Sequence, residues 1–262
     1  MTTKPTFNSP IFSKKLLGIY NKTFEEMGSD VMESYEPENN LYGPHDIQYT
    51  YNNEGFRCDE FTIESPIRIV FLGCSITEGI GVRQEETWAW QLLNTIKKDT
   101  GHDIPYWNLG VGGSGFDGIT RMYYHFHNIL KPQIVFGFFP RFRKEMFFKN
   151  TWDLRNGTLQ ENKELQENYL LWDTRYIAYE NEKNFAFIDM MLQKNNSIMI
   201  WKAWGDYYPN NFQYEIKSNF IFDNLGRDKM HPGPSSHKNF ADEIYSEYKN
   251  LILDKIKPLN LK

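Results

Sequence analysis

Cysteine is scarce in this chain: Cys58 and Cys74 are the only 2 among 262 residues. That excludes a disulfide scaffold and a Cys-rich zinc site. Long apolar runs are missing too. None approaches the roughly 18 residues of a membrane span, and the stretch from Met1 to Pro10 lacks the apolar core of a secretion signal. The expectation is a soluble, cytoplasmic protein. There is no basic excess either: 29 Lys+Arg stand against 34 Asp+Glu, a formal charge of -5. A broad basic surface for nucleic acid or anionic lipid is therefore excluded. No internal repeat, low-complexity tract or dividing linker stands out.

What the chain does have is apolar mass, 40% hydrophobic and 16% aromatic, enough for one large domain with a real core. Residues 1–50, with scattered Pro, Asn and Gly and a predicted helix from Ser13 to Met27, read as an N-terminal extension that could wrap the domain or meet a partner. Ile47 to Tyr51 reads as an edge strand, and Asn52 to Arg57 as a turn. From residue 51 to 262 strand and helix alternate. Short apolar runs at Ile67–Leu72, Ile104–Asn108, Ile134–Phe139 and Ser197–Trp201 are separated or followed by helical patterns over Glu85–Thr100, Asp117–Leu130, Asn184–Lys194 and Lys238–Ile256. This pattern predicts a three-layer α/β/α sandwich on a parallel, flavodoxin-like sheet. Asn150 to Lys183 is polar, aromatic and poorly periodic, which suits a lid or insertion, or a surface segment with its own small cluster.

Ser75 stands just past the carboxyl end of the first buried strand, where ligands bind in open α/β sheets. Gly73 lets the chain turn sharply enough to expose its hydroxyl. The same serine could instead serve as a helix N-cap. Cys74 reads as a small buried filler pointing away from Ser75. After the second strand, Asn108 to Gly115 carries Gly110, Gly112, Gly113 and Gly115, a density that signals close backbone approach to a ligand or a neighbouring element. His125 and His127, two residues apart on a helix, do not share a face and are assigned to solvent or core, not to a metal. Asp228 and His231 precede the last helix. Acyl transfer needs a nucleophile, a base, a group that orients the base and donors for the oxyanion. Ser75, His231 and Asp228 supply the first three if the loop returns to the sheet edge.

Taken together, Gly73 to Gly79, Asn108 to Gly113 and Asp228 to Pro232 resemble, in order, three sequence blocks of the SGNH or GDSL-type hydrolases, with Cys74 where an Asp is usual. Asn53 to Arg57 is similar to a segment that precedes the first block in many of them. The likeness spans about residues 51 to 250. It implies that Ser75 is the nucleophile of a Ser75-His231-Asp228 triad, that Ser75 and Gly113 give backbone N–H groups to the oxyanion, and that His237 supports them. It implies no metal and no organic cofactor. One block departs: after Phe139, where the family places an Asn that donates to the oxyanion, this chain has Pro140, Arg141, Phe142 and Arg143. Arg141 or Arg143 could fill that role, or both could be surface charges. The implied activity is hydrolysis of O-acyl esters, with O-acetyl groups on a carbohydrate as the favoured substrate and a small-molecule or glycan ester as the partner. Acyl transfer to a sugar, or a noncatalytic glycan-binding or structural module on the same fold, are the alternatives.

Overall fold

A computed structural model of the protein describes residues 23–24, 29–62, 64–140, 145–148, 153–156, 174–204 and 212–257. Its order of elements is β1 (Ile69–Gly73), α1 (Ser75–Glu78), α2 (Trp88–Thr100), β2 (Trp107–Asn108), α3 (Phe116–Leu130), β3 (Ile134–Phe139), β4 (Glu145–Phe148), β5 (Asp153–Asn156), α4 (Thr174–Asn195), β6 (Ile198–Ala203), β7 (Tyr214–Glu215) and α5 (Pro234–Ile256). Five strands form one sheet in the order β2-β1-β3-β6-β7, and every pairing in it is parallel. This is the flavodoxin-like order, whose strand direction of travel reverses at β1 and β3 and leaves a crevice at their carboxyl ends. Both β1 and β3 are buried throughout, which is why they read as unbroken apolar runs.

Alternation along the strands sends side chains to two helical layers. On one face Phe71 stacks on Phe136 with centroids 5.3 Å apart, and Trp88 of α2 and Phe240 of α5 pack against Phe71 and Phe138. On the other, Phe139 and Trp201 meet Phe116 of α3 and Phe185 of α4. Helix α2 packs on α5, and α3 on α4. The helix starts follow local chemistry. Thr87 caps α2 by accepting from the Trp90 N–H, Gly101 ends it at φ +70, and Pro234 opens α5 in its first turn, where a missing N–H costs nothing.

Several expectations change. Ile47–Tyr51 is not a strand of the sheet. Its alternation is real, but Ile47, Tyr49 and Tyr51 bury their side chains in a separate small core with Tyr42 and Ile80. The predicted strand from Ile104 shortens to Trp107–Asn108, because Tyr106 pairs with Asp59, through both its N–H and its carbonyl, and not with β1. The helix predicted from Asn184 begins ten residues earlier, at Thr174, so part of the supposed lid is α4. The rest of 150–183 lies outside the described residues except Asp153–Asn156, which pairs with β4 in an antiparallel hairpin that nothing in the sequence announced. The helix expected over Ser13–Met27 falls almost wholly outside the described residues. Among them, no helix is long and apolar enough to cross a membrane.

Candidate active site

Ser75 opens α1 directly after β1. Its neighbours are fixed from below. The Asn108 side chain donates to the Thr77 carbonyl at 2.6 Å and accepts from the Gly110 N–H at 2.8 Å, so one residue at the end of β2 ties α1 to the glycine loop. Hydrogen bonds from Leu109 N–H to the Phe71 carbonyl and from Val111 N–H to the Gly73 carbonyl carry that loop alongside β1. Gly110 sits so close that a Cβ there would lie 2.5 Å from the Glu78 nitrogen, which explains one of the glycines as a backbone contact. Gly112 donates to the Glu78 carboxylate, which also accepts from the Tyr51 hydroxyl at 3.1 Å and is 1% exposed. Gly113 follows at φ +79. Neither its N–H nor that of Ser75 has a hydrogen-bond partner among the described residues.

The loop from Gly226 to Gly233 reaches this edge through backbone contact. Arg227 donates its N–H to the Gly81 carbonyl at 2.7 Å. Gly81 has φ +82, and a Cβ on it would stand 2.9 Å from Asp228 Oδ1, so only glycine leaves room for the carboxylate. Within the loop, Gly226 N–H bonds the His231 carbonyl and Lys229 takes a left-handed conformation at φ +57.

This brings Ser75, His231 and Asp228 together. His231 Nε2 lies 2.8 Å from Ser75 Oγ, and Nδ1 lies 2.5 Å from Asp228 Oδ2. A carboxylate can only accept, so Nδ1 carries the proton and Nε2 offers its lone pair to the serine hydroxyl. Asp228 Oδ1 accepts from the N–H groups of Met230 and His231 at 3.1 and 3.0 Å. Burial opposes its ionisation, but the hydrogen bond and charge of His231 and the Ser29 hydroxyl bond outweigh it and hold the carboxyl down at about 2. Its side chain is fully shielded, whereas that of His231 is 19% exposed, which leaves the imidazole open to a substrate.

Ser29 and its setting escaped the sequence reading. The Ser29 hydroxyl donates to Asp228 Oδ2. Asp30 and Arg227 form a buried ion pair beside it. Nothing in the local sequence marks these residues, because their significance lies in a contact across about 200 positions. Other expected residues lie elsewhere. His237 is fully buried and accepts the Trp88 N–H on Nδ1 at 3.0 Å. Burial, with the charges of His231 and Arg57, pushes its imidazole down to about 3, so it is a neutral cap for α2. His127 is buried and donates to the Tyr124 carbonyl at 2.7 Å. Cys74 is buried, as a small filler would be, but it does not point away from Ser75 as expected: its sulfur is 3.9 Å from the serine oxygen, because Ser75 already opens α1 and strand alternation ends at the turn. Arg141 and Arg143 lie outside the described residues.

A cavity of about 320 Å³ opens beside Ser75 and His231, lined by Phe138, Phe139, Pro140, Trp204, Phe222 and Met230. This is the lower end of the size range of small-molecule sites, with the usual apolar walls and few polar groups.

No protein-family model and no curated protein matches the chain. Among solved structures it is similar to the psychrotrophic esterase EstA from Pseudoalteromonas sp., at 15% identity and TM-score 0.44 over 70% of this chain and 97% of that one. It is also similar to a family 3 carbohydrate esterase from Clostridium thermocellum, at 16% identity and TM-score 0.46 over 72% of this chain and 98% of that one. A lipase/acylhydrolase from Enterococcus faecalis is similar at 14% identity and TM-score 0.40, over 71% and 96% of the two chains.

Proposed function

We propose that the protein is a serine esterase that hydrolyses O-acyl esters through an acyl-enzyme. The observation that carries this reading is the continuous relay from Ser75 Oγ through His231 to the buried Asp228 carboxylate, at 2.8 and 2.5 Å. As Ser75 Oγ attacks the acyl carbon, its proton passes to His231 Nε2, and Asp228 stabilises the imidazolium that forms. The N–H groups of Ser75 and Gly113 receive the oxyanion. Collapse of the tetrahedral species breaks the bond to the alcohol oxygen, which takes the proton from Nε2. A water, deprotonated by the same nitrogen, then attacks the acyl group, and the carboxylic acid leaves with Ser75 restored.

The favoured substrate is an O-acetyl group on a carbohydrate. The aromatic rings of Trp204 and Phe222 in the cavity lining suit the apolar face of a sugar ring, and a site of this size has room for an alcohol part as well as an acetyl group. Arg141 or Arg143 stands in for the absent third oxyanion donor, whose loss would otherwise cost about 10² to 10³ in rate. The test is hydrolysis of acetylated sugars and of short aryl esters by wild-type and Ser75→Ala protein. Turnover by the wild type that disappears in the variant is expected. Equal activity in both, or binding of sugars with no turnover of any ester, would refute the reading.

A further inference from the structure

We propose that Ser29, from the N-terminal segment, is a fourth member of the relay: a positioning residue whose hydroxyl holds the Asp228 carboxylate and the His231 ring in register. This inference rests on the esterase reading. Its geometry is specific. Ser29 Oγ donates to Asp228 Oδ2, the same oxygen that receives the His231 Nδ1 proton, and lies 3.1 Å from Nδ1 itself. With the N–H groups of Met230 and His231 on Oδ1, the carboxylate accepts four hydrogen bonds and has no lone pair facing an empty space.

The placement of Ser29 is built in by its neighbour. Asp30 forks onto Arg227, with Oδ1 3.0 Å from Nε and Oδ2 2.8 Å from Nη2. Successive residues of the N-terminal segment therefore bond successive residues of the acid loop, Ser29 to Asp228 and Asp30 to Arg227. The same guanidinium donates to the carbonyls of Pro44 and Thr23 and covers the Phe24 ring at 4.1 Å. The Tyr49 hydroxyl bonds Asp30 at 2.5 Å while accepting the Gly81 N–H at 2.9 Å. The Asn40 side chain donates to the Arg227 carbonyl, and Lys229 Nζ to the Asn39 carbonyl. The segment thus grips the acid loop from both sides, and Ser29 is the point where that grip touches the relay.

Ser29 bonds the Nδ1 side of the imidazole, away from the Nε2 that faces Ser75. It acts on turnover through Asp228 and His231 and has no contact with the acyl group. The experiment measures kcat, KM, melting temperature and the ring-nitrogen chemical shifts of His231 in wild type, Ser29→Ala and Ser29→Thr, with aryl esters as substrates. Ser29→Ala is expected to lose about tenfold to a hundredfold in kcat, the worth of a hydrogen bond to a charged group, with KM little changed, the melting temperature lowered by no more than roughly 10 °C and the His231 shifts moved. Ser29→Thr, which keeps the hydroxyl, is expected to recover most of the rate. A kcat for Ser29→Ala within twofold of wild type, or a loss accounted for by a lower melting temperature in both variants, would overturn the inference. The chemical shifts need no substrate. If wild type shows no Ser75-dependent turnover but the shifts move in Ser29→Ala, the esterase reading fails and the contact stands. If they do not move, the Ser29 inference fails whatever the activity.

Discussion

Neutralising Asp30 is the sharpest perturbation of the segment that seats the acid loop. Asp30→Asn keeps the shape and one acceptor oxygen, but it leaves the Arg227 guanidinium, 0% exposed, beside a group that no longer balances its charge. The new amide nitrogen must also face donors, since both former carboxylate oxygens accept from Arg227 and one also from Tyr49. Removing one partner of a buried pair costs about 3–5 kcal/mol. The remaining support for the guanidinium, two carbonyls and the Phe24 ring, puts the expected loss near the lower end, about 3 kcal/mol. In a domain of this size that lowers the melting temperature by roughly 6–12 °C. Urea unfolding is the suitable assay because it leaves ionic strength unchanged, and the midpoint should fall with little change in slope. Turnover should fall as well, because the loop that is loosened carries Asp228 and His231. A loss below about 1 kcal/mol would refute the claim that this pair is the anchor of the loop.

The remaining expectations are briefer. His237 is neutral in the folded protein down to about pH 3, against 6.5 in the unfolded chain, so the unfolded state binds the extra proton between these values. Stability should therefore drop as pH falls through that window, by up to about 1.4 kcal/mol per pH unit. His237→Gln should flatten the slope; parallel stability-pH curves would contradict this. Gly81→Ala forces a side chain into a left-handed backbone at φ +82 and against Asp228 Oδ1, and should cost about 1–3 kcal/mol together with a clear drop in kcat. Unfolding and kinetics like those of wild type would show that the loop has slack. Single Arg141→Ala and Arg143→Ala variants should include at least one whose turnover is more than tenfold lower at unchanged unfolding midpoint. Near-normal kinetics in both would remove arginine from the mechanism.

Much of the framework was legible because it is local. The buried runs that became β1 and β3, the apolar face of Trp88, Leu92, Leu93 and Ile96 on α2, and its Gly101 stop all follow from period and cap. The glycines after β2 announced a close backbone approach, and Gly110 against α1 is one. Other features were hidden for physical reasons. Alternation at Ile47, Tyr49 and Tyr51 shows one buried face but cannot say whether a sheet or a loop receives it, and here it is the segment around Ile80. The Pro and Ser residues before Lys238 look like a loop, although Pro at the first turn is a helix start. Ser29 and Asp30 gained their importance only from a contact with the far end of the chain, which no window of sequence contains.

The central claim is that the Ser75 oxygen is a nucleophile activated by His231. Mass analysis of the intact protein after treatment with a fluorophosphonate, followed by peptide mapping, tests it most directly. The account predicts one covalent adduct, on Ser75, absent in Ser75→Ala and strongly slowed in His231→Ala. No adduct on the wild-type protein, or an adduct that persists in Ser75→Ala, would contradict it.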